Sequence, residues 1–332
     1  MMEQCRSRRA ALRAAVRMAA LLAAGGAIPP GAAGAGVPSE SGAADPGERP
    51  RPDGADRAGV ATAPIVVRDA RGAVHRFSEA PQRIVTMMPS LTEAAWVLGA
   101  GNRLVGVDRF SDWPDEIARL PRLGGLEDAN IEAIAALRPD VVLASSSSRA
   151  MERLEALGLR VVRLKSDTHA DMRDALDLIA HLLGRPDEGR QVWQRLEDRI
   201  AAAAARVPAR WRGRRVYFEI GGGPYAAGTA SFIGETLARL GMANIAPGEL
   251  GPFPKLNPEY VVRARPDLIM GLQHELATMA RRPGWAALAA VREQHMCGFD
   301  PAQYDVLVRP GPRIGEAAAL LADCLANLDP QP

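Results

Sequence analysis

From residue 64 onward the chain alternates short unbroken apolar runs with longer segments whose apolar residues recur every third or fourth position. The runs at Arg83 to Met87, Leu104 to Val107, Val141 to Leu143 and Leu159 to Leu164 predict buried strands of one α/β lobe. Arg215 to Ile220, Leu268 to Met270 and Met296 to Phe299 predict those of a second. Ile65 to Phe77, β-formers around Asp-Ala-Arg-Gly, predicts a hairpin. Met172, Leu176, Ile179 and Leu183, then Val192, Leu196 and Ile200, keep helical spacing from His169 to about Val207. The expected fold is α/β, with two Rossmann-like lobes of small central sheets, residues 63–166 and 209–329. A single long backbone helix over residues 167–208 joins them, with Gly184-Arg185-Pro186 as its breakable point. A helical connector is stiffer than a loop, so little lobe motion is expected.

Local signals fill in the rest. Ser90 with Glu93 three residues on predicts a capping box, and Ser231 to Leu240 a second capped helix. Pro283 to Val291 reads as a helix, Asp300 to Pro312 as a loop, and Arg313 to about Leu328 as a terminal helix.

One phrase occurs in both lobes. Asn130 to Ala144 reads NIEAIAALRPDVVLA, and Asn257 to Gly271 reads NPEYVVRARPDLIMG. The Asn suits a helix N-cap, the Glu a first-turn carboxylate that complements the helix dipole, and the Pro a stop before a buried strand. A helix that starts at the surface leaves Glu132 and Glu259 in solvent, one on each lobe. Dipole complementation explains either Glu alone; recurrence of the whole phrase favours a shared function.

Composition narrows the partners and the compartment. The 332 residues suffice for two domains, and a net charge of +2 argues against a nucleic-acid footprint. Arg6, Arg8, Arg9, Arg13 and Arg17 precede the apolar run Met18 to Ile28 and the small residues Ala33-Gly34-Ala35, so residues 1–35 read as a signal peptide. That run is too short to span a bilayer stably, and a periplasmic protein is expected. Residues 36–62 carry almost no large apolar side chains and read as a disordered linker. Cys297 and Cys324 remain after cleavage; an oxidising compartment permits a disulfide, and a buried free thiol fits equally.

Candidate ligand contacts cluster where strands end. Phe110 and Trp113 stand in a polar, Pro-terminated loop of a chain only 5% aromatic, which suggests the wall of a cleft at the strands' carboxyl ends. Leu126 closes a Gly-rich turn, and Ser145 opens a polar loop. Gly221-Gly222-Gly223-Pro224-Tyr225 lacks the Gly-Lys-Ser/Thr of a phosphate loop and suits close backbone approach to a bulky ligand. Phe253 precedes the second copy of the phrase, and His274 follows its strand. No nucleophile triad, HExxH or clustered Cys/His ligand set occurs, so neither an enzyme nor a resident metal is expected.

The runs RIVTMMPSLTEAAWVLGAGNRLVGVDRFSDWP, LPRLGG and NIEAIAALRPDVVLA resemble the helical-backbone class of periplasmic substrate-binding proteins that serve ABC importers, over about residues 64–328. Within that class the chain is most similar to cobalamin-binding members. The resemblance implies a monomer that needs no cofactor of its own, holds a corrinoid between its lobes, and passes it to a membrane permease and its ATPase. It implies that Glu132 and Glu259 dock onto permease arginines, and that Pro89, Ser90, Phe110, Phe253 and Arg309 face the ligand. Leu126 and Ser145 stand where cobalamin-binding members carry Trp. Haem- and ferric-siderophore-binding members are the alternative. Haem-binding members ligate iron with a Tyr in the turn that here reads Leu123-Gly124-Gly125.

Overall fold

The structure is a computed structural model that describes residues 64–328. The expected signal peptide and linker, residues 1–35 and 36–62, lie outside the described residues. A hairpin comes first, β1 (Ile65–Arg68) and β2 (Val74–Phe77), with Ile65 opposite Phe77. The first lobe then runs β3 (Ile84–Thr86), α1 (Pro89–Ala95), β4 (Leu104–Val107), α2 (Ile131–Ala136), β5 (Val141–Ser145), α3 (Met151–Ala156) and β6 (Val161–Leu164). Its four strands are parallel in the order β4-β3-β5-β6.

The connector is two helices rather than one. α4 (His169–Leu182) starts on a capping box between Thr168 and Asp171, and α5 (Pro186–Arg206) begins with Pro at its first position. Gly184, at φ +74°, turns the chain between them, and α4 packs back along α5. The linking helix is therefore the 21-residue α5 alone, about 32 Å long.

The second lobe follows with β7 (Arg215–Ile220), β8 (Tyr225–Ala226), α6 (Phe232–Arg239), β9 (Ala243–Asn244), α7 (Pro258–Ala264), β10 (Leu268–Leu272), α8 (Gln273–Leu276), α9 (Ala289–Arg292), β11 (Met296–Phe299), α10 (Pro301–Leu307) and α11 (Ile314–Asn327). β11, β10, β7 and β9 pair in parallel, and β8 runs antiparallel to the end of β7.

Three local expectations are corrected. Met88, not Ser90, is the N-cap of α1; Ser90 lies inside the helix with no hydrogen bond to its Oγ, and Glu93 turns inward instead of capping. The stretch from Asp300 holds α10: Asp300 accepts from the Ala302 and Gln303 backbone N–H groups, and Gln303 returns to the Asp300 N–H. Pro301 at the first helical position was a start signal, not a break. The helix expected over Pro283 to Val291 shrinks to a 3₁₀ turn and α9, because Leu288 is extended at φ −65°, ψ 135°.

Both sheets are buried on two faces, and the strand residues sort by parity. Val141 and Leu143 of β5 join the same cluster as Val216, Phe218 and Ile220 of β7 and Leu268 and Met270 of β10. Val142 and Ala144 instead meet Ile134 of α2, and Ile269 meets Val261 of α7. The first cluster is continuous between the lobes through Leu196 and Ile200 of α5 and Leu321 and Leu325 of α11. No helix among the described residues is long and apolar enough to cross a membrane.

Cys297 of β11 and Cys324 of α11 form a disulfide, 27 residues apart in sequence, which fastens the terminal helix to the second sheet. Opening a loop of that size costs about 3 kcal/mol. Urea unfolding with and without reductant is expected to differ by that amount, and Cys324→Ser is expected to remove the difference.

Candidate functional site

The repeated phrase has a repeated structure. Asn130 Oδ1 accepts from the Ala133 N–H at 3.0 Å, and Asn257 Oδ1 from the Glu259 N–H at 2.9 Å. Arg138 and Arg265 end their helices in left-handed conformation, at φ +45° and +47°. Asp140 then accepts from the Arg83 N–H, and Asp267 from the Arg215 N–H, each at 2.8 Å, which ties the start of the neighbouring strand. Arg83 and Arg215 reciprocate with their guanidinium groups, bonding the carbonyls of Leu137 and Ala264 at the helix ends. Every repeated polar residue is thus committed internally except one. Glu132 and Glu259 occupy the second position of α2 and α7, are exposed, and make no side-chain hydrogen bond or ion pair with the described residues.

Both corners lie at the carboxyl edges of the sheets. The Asn130 N–H bonds the Leu123 carbonyl and the Leu123 N–H bonds that of Val107, the last residue of β4; in the second lobe the Leu256 N–H bonds the carbonyl of Pro224, just past β7. The same edges carry the loops expected to form a cleft. In the first lobe Asp108 shapes the aromatic loop: its Oδ1 accepts from the Phe110 N–H at 2.8 Å, and its other oxygen takes the Ser111 hydroxyl. Ser111 continues through Thr92 to Thr86 in a buried hydroxyl chain. Burial pushes the Asp108 carboxyl up to about 6, opposed by the Ser111 hydrogen bond. Phe110 is half-buried beside Gly125, where an added Cβ would sit 3.0 Å from its ring. The half-buried Leu126 receives the Ser148 hydroxyl on its carbonyl, while Ser145, buried at the end of β5, bonds Ser147. A fully buried Arg163 holds both loop ends, donating to the Ser145 and Ser148 carbonyls.

In the second lobe Gly221, Gly222 and Gly223 all have positive φ, +58°, +80° and +72°, and at Gly222 a Cβ would meet the Glu275 carboxylate at 2.8 Å. Tyr304 Oη clamps this turn, accepting from the Gly221 N–H and donating to the Glu219 carbonyl. The buried Glu219 carboxylate is itself held by Arg282 and by the Tyr217 hydroxyl. The two edges meet at Arg309. Its guanidinium crosses to the first lobe, pairing with both oxygens of Asp112 and lying 3.5 Å from Glu93, and it also reaches Asp305 at 3.3 Å. Arg313 stacks its guanidinium 5.2 Å from the centre of the Trp113 ring, and Gly311 packs against Ser90 and Glu93.

Residues 84–302 match the periplasmic binding protein family. The chain belongs to that family. Its members bind solutes without transforming them and work with the membrane permease and ATPase of ABC importers. Among relatives, the cobalamin-binding protein of Halobacterium salinarum is 32% identical over 224 residues, 65% of this chain and 60% of that protein. The periplasmic vitamin B12-binding protein of Vibrio cholerae superposes at a TM-score of 0.64 with 25% identity, covering 76% of this chain and 99% of that one. A periplasmic haem-binding protein of Roseiflexus superposes equally, at 0.64 and 25%, covering 74% and 98%.

Within this periplasmic binding protein the expected ligand contacts divide. Pro89, Ser90, Phe110, Trp113, Leu126 and Ser145 lie on the first carboxyl edge; Tyr225, His274 and Arg309 lie on the second. Phe253 does not join them: it is 2% exposed and packs edge-on against Phe232 in the core. A Phe just ahead of a Pro and a helix reads the same whether it turns in or out, so sequence alone left its direction open. His274 is exposed, and its Nε2 is 3.3 Å from Glu275. Sequence reading missed Glu93, Asp112 and Asp305, because partners 197 and 216 residues from Arg309 leave no local pattern. A cavity of about 470 Å³ lies elsewhere, on the outer side of the first lobe between β1 and α4, lined by Val66, Asp69, Leu164, Lys165, Asp174 and Leu178. Among the described residues no group of three or more His, Cys, Asp or Glu side chains could hold a metal ion.

Burial raises the Glu93 carboxyl from 4.5 to about 7, only partly opposed by Arg309 and Arg313, and its Oε2 has no partner. Between those values the folded chain keeps a proton that the unfolded chain has lost, so this group's contribution to stability falls as pH rises through the window. Glu93→Gln is expected to flatten the decline in unfolding free energy between about pH 5 and about pH 8 by up to about 3 kcal/mol. Denaturant titration at several pH values checks it; Asp108 leaves a smaller slope of the same sign. Phe253→Ala is expected to cost about 3 to 5 kcal/mol of stability, and the half-buried Phe110→Ala about 1 kcal/mol, measured by the same unfolding assay.

Proposed function

We propose that this protein is a periplasmic receptor that binds a cobalamin-like corrinoid between its lobes and delivers it to an ABC permease by docking through Glu132 and Glu259. The observation that carries the docking role is the commitment of every other polar residue in the repeated phrase. A residue kept twice, at the same helix position, exposed and without an internal partner, has no structural work to do. Carboxylates at two separated points fix orientation and speed encounter with a cationic partner more than they add affinity. The cobalamin-binding and vitamin B12-binding relatives support the corrinoid. Haem is the second reading, supported by the equal superposition of the haem-binding protein. The turn Leu123-Gly124-Gly125 offers no phenol to ligate iron, which favours the corrinoid.

The proposal separates binding from delivery. Glu132→Ala combined with Glu259→Ala is expected to abolish uptake in cells while leaving the dissociation constant of the purified protein for cyanocobalamin within about twofold, since both side chains stand outside the cleft. Calorimetric titration together with labelled uptake reads both. Normal uptake by the double variant contradicts the docking role, and tighter binding of haemin than of cyanocobalamin contradicts the ligand.

A further inference from the structure

The arginines along the cleft are already spoken for. Arg109 pairs with Asp128, Arg282 with Glu219, Arg313 with Glu316 and Arg309 with Asp112 and Asp305. Arg122 donates to the Ser111 carbonyl. Arg309 is the most constrained: both terminal nitrogens are occupied, and its side chain is only 11% exposed. The acceptors are less exhausted. Asp112 is 62% exposed on the open side of its pair with Arg309, and at the floor the buried Glu93 Oε2 and Ser90 Oγ have no partner at all.

A ligand carboxylate entering here would have to pull Arg309 away from Asp112, leaving Asp112, Asp305 and its own charge crowded around one cation. Like charges brought together in a partly buried site oppose binding. A ligand carboxamide meets no such obstacle, because its N–H groups donate to the spare lone pairs of Asp112 while the ion pair stays intact. We infer that the cross-lobe cluster of Glu93, Asp112, Asp305 and Arg309 is the charge filter of the cleft: it accepts ligands whose edge presents neutral N–H donors and excludes those that present carboxylates. The inference rests on the ligand lying between the lobes. It is independent of which macrocycle is bound.

The test compares cyanocobalamin with its peripheral monocarboxylic-acid hydrolysis products, and with the dicarboxylate haemin, by titration of the full chain and of Asp112→Asn. The wild-type protein is expected to bind at least one monocarboxylate isomer ten or more times more weakly than the amide parent. Asp112→Asn, which relaxes the hold on Arg309, is expected to lower that amide-to-carboxylate ratio at least tenfold and to tighten haemin binding by a similar factor. Equal affinity for amide and acid forms, or a ratio that Asp112→Asn leaves unchanged, overturns the filter. Should the protein bind no corrinoid, the ligand reading of the preceding section fails, and haemin alone decides this inference: tightened by Asp112→Asn it stands, unchanged it falls. Circular dichroism of the variant, whose substitution lies on an exposed side chain, confirms that the fold is retained.

Discussion

A single apolar core shared by both lobes is the constraint on which the rest of this structure depends. The faces of the two sheets that look inward, carrying Val141 and Leu143 on one side and Val216 and Phe218 on the other, belong to one cluster continued by Leu196 and Ile200 of α5 and Leu321 of α11. Packed interiors resist continuous deformation, so opening the lobes would break contacts throughout this layer instead of turning a few backbone bonds. The disulfide adds to the same effect by fixing α11, which lies against α5, to β11. Stiffness then becomes functional. Loops on the facing edges hold their separation before any ligand arrives, and Glu132 and Glu259 keep theirs.

On that scaffold the cleft is built by buried polar groups beneath each loop. Asp108 with Ser111 and Thr92 supports the aromatic loop, Arg163 the serine loop, and Tyr304 with Glu219 the glycine turn. Such networks fix positions because a buried polar group left without its partner is costly. Arg309 differs from these in joining one lobe to the other, so it contributes both to the spacing of the edges and to the charge a ligand meets.

The sequence displayed the scaffold more clearly than the site. Unbroken apolar runs marked the core strands because parallel strands buried on both faces have no polar side to show. The repeated phrase marked the acidic corners, since Asn, Arg-Pro and Asp act on backbone only a few residues away or on the adjacent strand. Elsewhere local signals competed: Pro301 opened a helix where a Pro-bounded loop was read, and Gly184 split the connector that helical spacing had joined. Ser90 and Glu93 had the spacing of a capping box, yet Pro89 began the helix one residue earlier and carried both side chains inward. The ion pairs of Arg309 and the inward turn of Phe253 were not legible, because each is decided by tertiary packing between segments distant in sequence.

The rigid spacing of the acidic corners is most directly tested by pulsed electron paramagnetic resonance between spin labels at Glu132→Cys and Glu259→Cys, the native cysteines of the folded domain being joined to each other. The shared core predicts one narrow distance distribution whose mean is the same without ligand and with saturating cyanocobalamin. A second population, or a mean that moves by several ångström when ligand binds, would show that the lobes close on their cargo and that the core does not hold them apart.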